Sequence, residues 1–188
     1  MQKPRRAKSA QELIDSIETP HVRNWYQKYL SDSKLYIDKS VLLLDYLSKR
    51  AVIDGYEFDA KSGLFIKEVF PEKIAKRVGR TIVNIIFPRP VDQHYHEDVG
   101  EAFYVISGNG AFRKVGEGMF FSEPIQRGST TFADVGEYHA FSPDPGDYLE
   151  MAIVCTGVMD FSKEKCVTRF DKYQPWLDFF KDAKRSKK

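Results

Sequence analysis

Three of the four histidines in this 188-residue sequence fall in a stretch rich in β-branched and aromatic residues. His94 and His96 stand two apart, and on a strand, where successive side chains alternate faces, both imidazoles point the same way. Glu101 follows after an Asp98-Val99-Gly100 turn, from which a short hairpin would bring its carboxylate back beside them. His139 opens a later strand, just past Gly136. Three imidazoles and one carboxylate suit one borderline divalent transition-metal ion: Fe, Mn, Ni, Cu or Zn. Four protein ligands would leave an octahedral ion two open positions, as a catalytic site requires. His21, after Thr19-Pro20, fits no such spacing and reads as structural.

The elements that must position these groups are short strands. Thr81–Phe87, Ala102–Ser107, Ala111–Val115, Met119–Ser122, Ser129–Ala133, Tyr138–Ser142 and Tyr148–Cys155 recur between Gly, Pro and Asp punctuation. That spacing signals a sandwich or barrel and not βαβ units. A hairpin is expected ahead of them, from Tyr56 to Phe70 around Gly63. The N-terminal part reads as helical. Ser9 and Glu12 form a capping box before Leu13, Ile14 and Ile17. A second helix is expected through Trp25, Tyr26, Tyr29 and Leu30. A third, capped by Asp38, would carry Val41, Leu42, Leu44, Tyr46 and Leu47. Near the C-terminus, Pro175 suits a first helical position, with Trp176, Phe179 and Phe180 on one face.

Two stretches match a known pattern. Pro88, His94, His96, Glu101 and Gly108 stand at the offsets of the first cupin motif. Gly128, Asp134, Gly136, His139 and Pro143 stand at those of the second, with nineteen residues between Gly108 and Gly128. The chain therefore resembles the cupin superfamily over about residues 80–156. It departs at Pro88, Asp134 and Pro143, where the family has Gly, Pro and Asn; all three are turn positions. The resemblance implies a mainly β, cupin-type (double-stranded β-helix or jelly-roll) barrel. It also implies that His94, His96, Glu101 and His139 are metal ligands. On this reading residues 1–54 are a helical extension packed on the barrel. Residues 55–160 are the barrel, and 161–188 a C-terminal helix and basic tail.

Strand parity suggests what else lines the site. Phe103 and Val105 share a face with Glu101, Phe141 shares one with His139, and Met151 and Ile153 share one on the last strand. On the strand before the motif, either Ile82, Asn84 and Ile86 or Val83, Ile85 and Phe87 face inward. Such a pocket is largely apolar, as small-molecule sites usually are. Arg80, Arg89 and Lys67 are candidates to reach its mouth and hold an anion. Tyr95, Tyr104 and Tyr138 point the other way, beneath the helices or at a dimer face.

Composition narrows the function classes. Apolar residues make up 42% of the chain, with 14 Phe and 10 Tyr, which excludes wholesale disorder. No apolar run approaches the roughly 20 residues of a membrane helix, nor does a hydrophobic stretch follow the basic N-terminus, so a cytoplasmic protein is expected. Net charge is +2, with basic residues gathered on the two tails; this argues against nucleic acid as a partner. Cys155 and Cys166 lack CxxC spacing and read as buried thiols. A small-molecule substrate and a homodimer are expected. Three activities fit: an oxygenase (dioxygenase) acting on an enolic or thiol substrate, a non-redox sugar isomerase or epimerase, and a non-catalytic small-molecule binder.

Overall fold

Alternation of buried and exposed positions along the strands sets the architecture. The computed structural model describes residues 6–30, 36–37, 41–91, 93–116 and 119–159. Its elements run α1 (Ala10–Ser16), α2 (Pro20–Leu30), β1 (Tyr36–Ile37), β2 (Val41–Leu42), α3 (Leu43–Asp54), β3 (Glu57–Asp59), β4 (Leu64–Glu68), α4 (Glu72–Val78) and β5 (Ile82–Phe87). Then come β6 (Glu101–Ser107), β7 (Asn109–Gly116), β8 (Met119–Gln126), β9 (Thr130–Ala133), β10 (Tyr138–Pro143) and β11 (Leu149–Cys155). A six-stranded sheet, in the order β3-β4-β5-β11-β6-β9, faces a three-stranded sheet, β10-β7-β8, and every pairing is antiparallel.

Two cores result, one on each face of the larger sheet. Between the sheets, Val83, Ile85, Phe87, Phe103, Val105, Met151 and Ile153 meet Phe112, Ile125 and Phe141 from the smaller sheet. On the outer face, Phe65 and Ile86 pack with Leu13, Ile14, Ile17, Val22, Tyr26, Leu43, Leu44 and Leu47. This fixes the register of β5: Val83, Ile85 and Phe87 face inward, while Ile86 lies under the helices. The Ser9 capping box forms as expected, with Ser9 N–H donating to Glu12 Oε2 at 2.7 Å and Glu12 N–H to Ser9 Oγ at 3.2 Å.

The third helix is shorter than the sequence suggests. Val41 and Leu42 are extended and pair with Ile37 and Tyr36, so the helix begins at Leu43. β-branched and bulky apolar residues on both sides of the turn favour that small ribbon over another helical turn. Helix α4, from Pro71 to Gly79, was not anticipated. Asp38 and the C-terminal helix expected around Pro175, Trp176, Phe179 and Phe180 lie outside the described residues.

One polar cluster pins the helical layer to the sheet. Glu150 on β11 is 4% exposed and points under α3. Arg50 Nη2 donates to its Oε2 at 2.5 Å and Tyr56 Oη to its Oε1 at 2.7 Å. Arg50 also reaches Tyr148 Oη, at 2.9 Å, and Asp54, at 2.9 Å. Burying a carboxylate costs several kcal/mol unless its lone pairs are met, and here both oxygens are. Beside the same end of β11 the chain turns sharply at Gly108. Gly108 has φ +88°, and a Cβ there would sit 1.6 Å from the Tyr148 carbonyl oxygen, so no other residue fits.

Glu150→Ala should strand Arg50 and Tyr56 and cost about 2–3 kcal/mol, below the full buried-pair value because Arg50 stays partly wet. Urea unfolding would show a lower midpoint at unchanged slope; a loss under about 0.5 kcal/mol would count against the anchor. A second expectation concerns Cys155, wholly buried opposite Glu101. Burial, with Glu101 and Asp98 adding, pushes its thiol up to about 12. The folded thiol thus keeps its proton to higher pH than the unfolded one. Its contribution to stability is complete below about pH 8.5 and declines as pH rises above that. Iodoacetamide at pH 8 should leave the Cys155 peptide unmodified until denaturant is added, because only the thiolate reacts. Equal labelling in native and denatured protein would contradict this.

Candidate metal centre

The four groups singled out by spacing arrive from both sides of the sandwich. Glu101 opens β6 in the larger sheet, between Ala133 of β9 and Cys155 of β11. His139 lies on β10 in the smaller sheet. The His94–His96 segment is extended, but only His94 pairs as a strand residue. Its N–H donates to His139 O at 3.0 Å, and its carbonyl oxygen accepts the His139 N–H at 2.8 Å. The His96 carbonyl takes the Gly136 N–H at 2.8 Å. Backbone hydrogen bonds thus tie the two motifs together.

The side chains converge. One ligand atom from each of His94, His96, Glu101 and His139 lies within 4.8 Å of all the others. Glu101 Oε2 is 2.9 Å from His139 Nε2 and 3.0 Å from His96 Nε2. His139 and Glu101 are 1% and 5% exposed, while His94 and His96 are half-buried. His139 Nδ1 stands 3.1 Å from the Glu137 carbonyl oxygen. That oxygen can only accept, so Nδ1 carries the proton and Nε2 presents its lone pair to the cluster. Glu101 Oε2 and His139 Nε2, though close, do not align as a hydrogen bond and have no other protein partner. Burial pushes the Glu101 carboxyl up; protonated His139 and His96 outweigh it and lower it, and with both rings neutral, as ligands are, a shared cation takes over that role. A buried anionic oxygen facing neutral imidazole lone pairs is the donor set of a divalent transition ion. The residues fit such a group.

Beside the cluster lies a cavity of about 310 Å³, into which His94, His96 and Glu101 look. Phe103, Phe141, Ile153 and Arg89, expected from strand parity and reach, are all on its wall. Val105 and Met151 are not. They share the inward face, but sit one step deeper in the core, paired with each other. Stacked Phe103, Phe112 and Phe141 rings, with centroids 4.8–5.9 Å apart, fill the space around that step.

Several expectations are corrected. Arg89 is 6% exposed, and its guanidinium serves as a strut: Nε and Nη2 donate to the Ser62 carbonyl and Nη1 to that of Pro90. Lys67 is not at the mouth; parity turns it to the outer face, where Nζ donates to Asp54 O at 2.8 Å. Nor does Arg80 line the cavity. His21, read as structural, does line it, alongside Thr19, Val22, Asp59, Lys61 and Ser62. Tyr104 is 48% exposed, with no helix over it among the described residues, while Tyr95 and Tyr138 stack on each other at 4.7 Å.

No family model matches the chain, and no curated protein matches it in sequence. Solved structures do match in shape. An oxalate decarboxylase from Bacillus subtilis, solved in work on its Mn(II) centres, is similar at a TM-score of 0.50 and 18% identity. That match covers 59% of this chain and 30% of the enzyme. A predicted oxalate decarboxylase from Thermotoga maritima matches at 0.44 and 24% identity, over 53% of this chain and 84% of that one. The 11S allergen of Cocos nucifera matches at 0.47 and 14%, over 55% of this chain and 30% of that one. Facing antiparallel sheets, two motifs joined at His94 and His139, and the shape shared with the Bacillus enzyme give one conclusion: the chain has the cupin fold.

Proposed function

We propose that the chain is a metal-dependent cupin enzyme of oxygenase type, acting on a small molecule held in the cavity. His94, His96, Glu101 and His139 would hold one divalent transition ion. The observation that carries this reading is the convergence of three imidazoles and a buried carboxylate on one side of a mostly apolar cavity. The ion, when bound, would supply Lewis acidity, open coordination positions and, if iron, manganese or copper, one-electron chemistry. The Mn(II) centres of the Bacillus decarboxylase make manganese a first ion to test beside iron.

The chain's own residues do the rest. Glu137 O fixes the His139 tautomer, so that ring offers a lone pair and no proton. The backbone pairing of His94 with His139 holds those two rings 4.3 Å apart between centroids. Phe103, Phe141 and Ile153 exclude water from the reacting face, which protects reactive intermediates. The same wall weighs against a sugar isomerase, because sugar hydroxyls pressed on it would lose hydrogen bonds to water without replacement.

His96→Ala should reduce bound metal from about one ion per chain to near zero, while the circular dichroism of the β-sandwich is retained. The core of Phe103, Phe112 and Phe141 does not need the ion. Unchanged metal content would overturn the ligand set. Metal analysis of the purified protein should find iron, manganese or copper, and oxygen uptake should follow addition of a thiol or β-diketone. Zinc alone, with no uptake, would overturn the oxygenase reading. A second copy of the chain is expected to cover the outer face of β6 and β9, where Tyr104 and Phe132 are exposed. Light scattering should give twice the chain mass; 21.7 kDa at micromolar concentration would refute the dimer.

A further inference from the structure

We infer that the cavity selects a small molecule with an extended apolar body and at most one charged end. A compact dianion such as oxalate gains nothing from the apolar wall of this cavity. This rests on the reading that the His and Glu cluster is the reactive centre.

The wall away from the cluster is Leu64, Ile66, Val83, Ile85, Phe87 and Ile153, with no polar atom on any of these side chains. Arg89, the buried cation beside that wall, gives three of its five N–H groups to the carbonyls of Ser62 and Pro90. His21 and Lys61 stand at the rim, both exposed. A dianion lying against this wall would lose its hydration and find no compensating donors. The volume, about 310 Å³, equals roughly ten water molecules at ~30 Å³ each, which is more than oxalate needs. An apolar chain gains from the same wall, by about fourfold in affinity per methylene buried.

The end where Thr19, His21, Val22, Lys61 and Ser62 line the cavity is built by residues outside the sandwich. Gly63 at the tip of the β3–β4 hairpin is pressed against α2: a Cβ there would lie 2.9 Å from both Tyr26 Cε2 and Val22 Cγ1. Tyr26 Oη donates to Gly63 O at 2.7 Å, Glu18 N–H to Ala60 O at 2.8 Å, and Arg89 holds Ser62 from the cavity side. The hairpin tip is thereby fastened from two sides. It is a fixed part of the cavity's rim.

The test is a binding series: unbranched 2-oxo acids from pyruvate to 2-oxooctanoate, with oxalate as comparison. Each is titrated by calorimetry into the protein as purified and after chelator treatment, with metal content measured on the same samples. Affinity should rise about fourfold per methylene and then level off where the cavity is full, with oxalate weaker than 2-oxooctanoate. Ile66→Gln, a change at a half-buried wall position, should cut that increment to twofold or less. A flat series, or oxalate binding more tightly than 2-oxooctanoate, overturns the inference; a flat series with one ion per chain leaves the metal centre standing. A rising series in protein that never holds metal supports the cavity and overturns the centre instead.

Discussion

A carboxylate 5% exposed between two β-sheets is the constraint around which the rest of the molecule is arranged. An isolated buried anion would take up a proton rather than stay charged, unless dipoles or charges are brought to it. Glu101 has His96 and His139 within 3.0 Å and 2.9 Å of it, but with His139 turning a lone pair toward it the positive partner it needs is a shared cation. Those imidazoles belong to the opposite side of the sandwich. The pairing of His94 with His139, and the Gly136 bond to His96, exist in effect to carry three rings across to one oxygen. Four neutral or negative donors without a shared cation are an unstable solution for a dry interior, so the same contacts that solve the burial problem create a metal-binding one.

Most of the site was legible in the sequence because its information is local. Two histidines two apart fix their own relative direction, and a turn of a few residues fixes where Glu101 returns; glycines such as Gly108 mark turns only they can make. Whether Ile85 or Ile86 faces the cavity is decided by something non-local, the helical layer that demands Ile86 and Phe65 for its own core. Lys67 lies away from the cavity, and Arg89 lines it with most of its donors already taken, for a related reason. Reach can be read from a side chain's length, but its destination depends on which carbonyl lacks a donor, and those carbonyls belong to Ser62 and Asp54 on other elements. Helix α4 carried a usable signal that was not applied: Pro71 at its start, Lys76 and Arg77 in its last turn, and Gly79 after it. His21 carried none, because nothing in its own neighbourhood says that α2 will lie along the cavity.

The N-terminal layer therefore has two physical tasks that the strand pattern does not disclose. It covers the outer face of the larger sheet, where the exposed side of an antiparallel sheet would otherwise present Phe65 and Ile86 to water. The buried Glu150, Arg50 and Tyr56 cluster makes that docking specific in a way apolar contact is not, since only one placement of α3 satisfies both carboxylate oxygens.

Its second task follows from the first. Once α2 is seated on Phe65 and Ile86, the hairpin tip between β3 and β4 has Val22 and Tyr26 on one side and Arg89 on the other. A sandwich with an open end becomes a cavity whose rim is shaped by helices outside the strand framework that carries the metal-binding groups. Chemistry and selectivity are then separable in this chain. The strands supply the donors, whose identity is readable from two short motifs; the helices supply the boundary, whose position depends on packing between elements that carry no motif. Two cupins with the same four donors can accordingly act on unlike molecules, because the donors decide which ion and which bonds are in reach, while the wall decides what arrives.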